Sequence, residues 1–586
     1  MTRLHRCAAS AVPAVLASFV LAANAAAAVD SRTVNSTADP GDGSCATNGC
    51  TLREAITELN LDFDTTDQDQ IQIAFNSIFN STITLGSTLA ISDPVAISSV
   101  GTATPTVSGN DAVRAFTISG SPGDDVAVSG LTITDGLTTE TIGGGAIRAS
   151  FADLTISGAA IRDSAATGSN SIGGAISAAG GTLTITDSTL AGNTSPSNGG
   201  AVNTSADPFT LRRSTVSSNW TTGTPGPATI GGAGGGISSA STTLIESSTI
   251  SGNHTEGLEG HGGGVHFGSG AVTVRDSTIS GNATQGANAN GGNLFAAAPG
   301  PTLSNTIVAN GAVGTGGVGP DLAGGSFQLA YSLFENTSGA SWSSSVPNSN
   351  ITGQDPALGA LGNNGGQTQT HLPGVTSPVL DRGSTDAPVD QRGVPRPNDF
   401  ANKPNAEGGD AAEIGAVEIP IAPPTFASTS PASPGSDDTP TVFGNAQDGT
   451  VRLYTDAACT QATGAATADE VFEASGITVG PVAHNATATF YGRTDTTYGT
   501  SLCSSGAFPN TIAYTHVDPP SPPPPPPPAP PPPHSGGAGT VVAGATGERD
   551  AALKRCKAKK RRLQRQDRPW KKRYKKCRRR AVELPL

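Results

Sequence analysis

Six side chains between positions 220 and 266 have the types from which chemistry could be built: Trp220, His254, Glu256, Glu259, His261 and His266. Tryptophan offers a flat apolar face on which a sugar ring can rest. Histidine beside glutamate can ligate a metal ion or exchange protons as general acid and base. The separation of His254 from His261 matches no specific metal-binding spacing, so no metal ligands are assigned. A solvated polar loop on an acidic protein would have the same composition, and position must decide between the two readings.

Position comes from a repeat. A glycine-rich step and an aliphatic residue recur as GGGAI ending at Ile147, GGAI at Ile176, GGAV at Val202, GGGI at Ile237, GGGV at Val265 and GGNL at Leu294. Each step leads to a β-rich run that closes on asparagine, at Asn193, Asn219, Asn253, Asn282 and Asn310. Leu183, Ile185 and Leu190 alternate with Thr184 and Thr186, and this period of two over β-branched residues predicts strands. Two or three short strands per repeat cannot cover their own apolar face, so the repeats must stack as a parallel β-helix. In that stack the asparagines form a ladder, and Thr186, Arg212, Glu246, Arg275 and Ser304 form an exterior row of alternating charge. The loops after Asn193, Asn219, Asn253 and Asn282 emerge on one side, which gathers the six candidate residues on one face.

Other chemistries find less support. A glycosidase needs two converging carboxylates, and Asp187 and Asp276 hold equivalent places in the repeat, but Arg213 and Ser247 stand between them. A polysaccharide lyase would need a basic residue beside calcium held by several acids, and Arg275 with Asp276 is too small a set; the catalytic residues stay unknown. Apart from calcium in that lyase reading, no cofactor is implied. The N-x-S/T sequons at the ladder asparagines are explained by stacking, and the GGG steps are turns that lack the lysine of a phosphate loop.

The chain has 586 residues, with 75 glycines and 4% aromatics, which disfavours a helical globule. Its net charge of -13 is uneven: residues 549–586 hold 18 Lys or Arg and 3 acids, +15, leaving 16 basic and 44 acidic residues, -28, before them. Residues 1–28 read as a secretory signal peptide, and no later run is long enough to span a membrane. Export makes three local disulfides plausible chemistry: Cys45 with Cys50, Cys459 with Cys503, and Cys556 with Cys577. Thr51 and Glu54 form a capping box ahead of Leu52, Ala55, Ile56 and Leu59, which predicts a short amphipathic helix within an N-terminal cap over 29–80.

The run CTLREAI, Cys50 to Ile56, resembles the signature of bacterial CSLREA-domain proteins. DPALGALGNNGGQTQTHLPGVTSPVLDRG, DQRGVPRP and EIGAVE, within residues 355–418, resemble the choice-of-anchor Q domain, with Glu413 in place of the usual Asp. This resemblance implies an exported right-handed parallel β-helix tied to a cell surface, and it implies no established catalytic residue. The expected organisation is all-β: repeats over 81–350, a last part of the solenoid over 351–420, and an immunoglobulin-like sandwich over 423–518. A Pro/Gly-rich linker follows over 519–547, then a disordered basic tail over 548–586. In that tail Trp570 and Tyr574 interleave with the charge; wall polymers and anionic headgroups are nearer polyanions for an exported chain than nucleic acid. The functional expectation is adhesion or polysaccharide binding at an envelope surface without catalysis, with a lyase or hydrolase, or a structural surface protein, as alternatives.

Overall fold

A computed structural model describes residues 29–519 apart from 46–48, 62–67, 76–80, 102–103, 224–230, 298–299, 401–402, 447–448, 498 and 505–509, together with 554, 555 and 557. The expected signal peptide, most of the linker and tail, and the Cys556–Cys577 pair lie outside the described residues.

The repeats form a parallel β-solenoid of four sheets with 12, 11, 9 and 7 strands. One coil shows the order: Ile176–Ala179 in the 9-stranded sheet, Leu183–Thr186 in the 12-stranded, Thr189–Ala191 in the 11-stranded and Thr194–Ser195 in the 7-stranded. A complete coil therefore has four strands where two or three were expected, and among the described residues seven coils carry the fourth. The fourth is two residues long, too short to show a period, and it occupies the start of what reads in sequence as a variable loop.

Stacking is in register. Ile156, Ile185, Leu211, Ile245, Val274, Leu303 and Leu329 form one inward column. Ile161, Leu190, Val216, Ile250, Ile279 and Val308 form another. All are buried in one continuous core, each side chain contributing about 1.5–3 kcal/mol of hydrophobic stabilisation.

The solenoid begins earlier than position 81. Ser31–Val34 pairs in parallel with Asp69–Ile73, and that strand pairs with Val95–Ser99. The expected helix spans Leu52–Leu59 and carries the Thr51–Glu54 capping box. Leu52, Ala55, Ile56 and Leu59 join Val34 and Ile71 in the solenoid core, and Arg53 holds Asp39 at 2.6 and 2.9 Å. Cys45 and Cys50 are bonded, as are Cys459 and Cys503.

Among the described residues of 353–424 there is no further strand. This segment is not a last part of the solenoid but a strap across its outside. Thr215 donates to the Gln369 carbonyl, Thr249 to Gln391 and Asn305 to the Glu413 carbonyl, so one strap ties several coils. Residues 425–515 form two antiparallel sheets of three and four strands around Val442, Val451, Phe472, Phe490 and Tyr514.

Candidate functional site

The ladder that places the loops is built as the repeat demands. Asn193, Asn219 and Asn253 each donate Nδ2 to the Oδ1 of the next asparagine at 2.9 Å, and each backbone N–H donates to the same oxygen at 2.9–3.0 Å. Asn193, Asn219, Asn253 and Asn282 are completely buried, so their sequons offer no amide to a glycan in the folded protein.

Asn310 is not in the ladder. Ile279 pairs with Val308 and Ser280 with Ala309, so Asn310 is level with Gly281 and Gly311 with Asn282. Both Asn310 and Gly281 have left-handed backbone, with φ of 57° and 69°, which asparagine tolerates better than most residues. Asn293 supplies the missing rung: its Oδ1 accepts from Asn282, and its Nδ2 donates to Asp321 Oδ1 at 2.9 Å. A Cβ on Gly311 would lie 2.8 Å from Asn293 Nδ2, so the glycine makes room for the substitute.

A second ladder escaped the sequence reading. Ser188, Ser214 and Ser248 each donate their hydroxyl to the carbonyl two residues back. The same hydroxyls accept backbone N–H groups from the preceding coil. Its signal was present as a serine or threonine two places after the charged row. That row is real: Glu246 pairs with Arg212 at 2.5 Å and with Arg275 at 2.8 Å.

The six candidate residues divide into two groups. Trp220 and His254 are not in loops; they are register partners in the 7-stranded sheet, facing outward. Their rings are parallel within 4°, with centroids 6.1 Å apart, an offset stack. His254 Nε2 lies 3.5 Å from Glu256 Oε1. Thr194 and Ala283 flank the pair on the neighbouring strands, so the rings stand on a surface of small side chains.

His261 and His266 belong to another ring cluster, centred on Phe295. Phe295 stacks on His261 at 4.6 Å and on its register partner His266 at 5.5 Å. His261 Nδ1 accepts the Asn290 N–H at 3.0 Å. Burial pushes the His266 imidazole down to about 4, helped by repulsion from His261, so His266 is neutral near neutral pH. Burial also lowers His261, against the attraction of Glu259. Glu259 is exposed, with a left-handed φ of 57°. Phe295 was overlooked, although the match of GGGVH with GGNLF places it beside His266.

Among the described residues, no three of these histidines and glutamates bring ligand atoms within 4.8 Å of one another. The carboxylates weighed for hydrolysis are committed elsewhere. Asp187 accepts two bonds from Arg213 at 2.8 and 2.6 Å. Asp276 is buried beside Arg396 and Asn305 under the strap. What the face presents is flat rings with acids at their margin, an arrangement that can stack and hydrogen-bond a ligand. Among the described residues no helix is long and apolar enough to cross a membrane. Comparison of the chain with protein families, with curated proteins and with solved structures finds no match.

Proposed function

We propose that this is an exported, envelope-associated protein that binds cell-wall or extracellular polysaccharide through the Trp220 face without cleaving it. The observation that carries the reading is the parallel Trp220–His254 step, standing outward between Thr194 and Ala283. Two outward rings on successive strands, with centroids 6.1 Å apart, suit a linear chain of pyranose rings, whose C–H faces stack on aromatic surfaces. Glu256 beside His254 supplies an acceptor for sugar hydroxyls. The disulfides accord with export. In this reading the helix Leu52–Leu59 caps the open edge of the solenoid, residues 425–515 form an immunoglobulin-like spacer, and the basic tail binds anionic envelope polymers. The likeness of residues 50–56 and 355–418 to CSLREA and choice-of-anchor Q domains points the same way.

The test incubates the protein and its Trp220→Ala variant with neutral and anionic polysaccharides, with and without calcium, and resolves the mixtures by size. Intact polysaccharide co-eluting with the protein, weakened about two- to tenfold by Trp220→Ala, is expected, because one aromatic stack contributes about 0.5–1.5 kcal/mol. Shortened polysaccharide would establish a lyase or hydrolase instead. Equal binding by the variant would remove the site from the Trp220 face.

A further inference from the structure

We propose that His484, His516 and Asp518 form a binding site for a divalent transition-metal ion of the zinc type, at the end of the antiparallel module. Among the described residues this is the one group of three His, Cys, Asp or Glu whose ligand atoms all lie within 4.8 Å of one another. Tetrahedral zinc with ligand bonds of about 2.0–2.1 Å keeps its ligand atoms about 3.3 Å apart. Asp518 Oδ1 lies 2.6 Å from His484 Nδ1 and 3.9 Å from His516 Nδ1, which brackets that spacing.

The ligands are held from behind. Asn485 Nδ2 donates to Asp518 Oδ2 at 2.7 Å, while Asn485 Oδ1 accepts the Asp518 N–H at 3.0 Å. The Asn485 N–H reaches His516 Nδ1 at 3.4 Å, a long bond that leaves this lone pair weakly used. His516 is buried just beyond the strand Ile512–Thr515, and its own N–H donates to the Ala486 carbonyl. His484 is exposed, which leaves a fourth position open to water. Two imidazoles and one carboxylate select zinc, copper or nickel over calcium or magnesium. Because Asp518 immediately precedes the Pro519–Pro533 run, the ion would cinch the point where the chain leaves the module.

The test uses the whole chain, stripped with a chelator and titrated with cobalt(II), whose visible absorption reports coordination by nitrogen ligands, and separately with zinc during thermal unfolding. The wild type is expected to take up one equivalent that His484→Ala and Asp518→Asn both lose, and zinc is expected to raise the melting temperature of the wild type alone. His484 is a surface residue, so its variant folds even if Asp518→Asn does not. Uptake and melting shifts unchanged in His484→Ala, or no uptake by the wild type, would overturn the site.

Discussion

Asn253 accepts two bonds from Asn219 and donates to the Val216 and Ser251 carbonyls and to Asn282. Replacing it with alanine strands buried donors on the Asn219 side and buried carbonyls on the other. Each unsatisfied group costs about 1–3 kcal/mol, so Asn253→Ala should lower the unfolding free energy in urea by about 3 kcal/mol. Asn310→Gly, by contrast, keeps the left-handed turn and loses only the 3.2 Å bond to Ser280; a change under about 1 kcal/mol is expected. Equal losses in the two variants would show that the ladder is not the stabilising unit. The contrast also shows what reading along the chain misses. The asparagine after a short strand is visible in every repeat, yet the difference between Asn282 and Asn310 is one residue of register, and only pairing with the neighbouring coil sets it.

The strap is held by the residues of DQRGVPRP and EIGAVE. Arg396, fully buried, reaches Glu418 at 3.1 Å, Asp276 at 3.4 Å and the Gly415 carbonyl at 2.6 Å. Arg392 pairs with buried Asp390. Removing one partner of a buried ionic group costs about 3–5 kcal/mol. Arg396→Ala should therefore open the strap to protease within residues 355–418 while the coils stay resistant, which mass analysis of the fragments would report. The same network sets a pH dependence. Burial pushes Asp381 up to about 7, against the Phe400 N–H and with repulsion from Asp399 and Glu418. Burial likewise raises Glu413, with Glu418 beside it adding repulsion. Both native groups hold protons that the unfolded chain, with carboxylates near 4, gives up. The contribution of Asp381 is thus full below about pH 4 and is lost as pH rises through about 7, and Glu413 acts in the same direction. Hydrogen exchange in the strap should be slower at pH 5.5 than at pH 8, and Asp381→Asn, which keeps an acceptor for Phe400, should flatten the difference. Faster exchange at pH 5.5 would reverse this assignment.

Considered end to end, the solenoid is a stack in which each coil contacts its neighbours, so its exposed ends decide solubility. Deleting residues 29–60 removes the strand Ser31–Val34 and the helix Leu52–Leu59, baring the edge of Asp69–Ile73 and the core beneath. That variant should aggregate where the full chain stays monodisperse, as light scattering would register. If the proposed attachment through the basic tail holds, removal of residues 549–586, with its +15 charge, should release the protein from the envelope. High salt should reproduce the release, and retention after both treatments would exclude the tail as the attachment.

Sequence by itself determined the parallel stack, because a period of two within a repeat of about 29 residues leaves no other way to bury Ile185, Val274 and their equivalents. It also determined the helix at Leu52, whose capping box is local, and the charge row through Glu246, which follows from equivalent places in the repeat. Tertiary structure alone decided the fourth strand, the role of Asn293 and the course of the strap. It also separated Trp220 and His254 from the Phe295 cluster and brought His484, His516 and Asp518 together. The fourth strand, which holds Trp220 and His254, recurs in register but is too short to show a period; the others depend on contacts between residues with no periodic relation, such as Gly311 yielding space to Asn293 or Thr249 meeting Gln391 142 positions away. A repeat announces what neighbouring coils share, and says nothing of what packs against them from elsewhere in the chain.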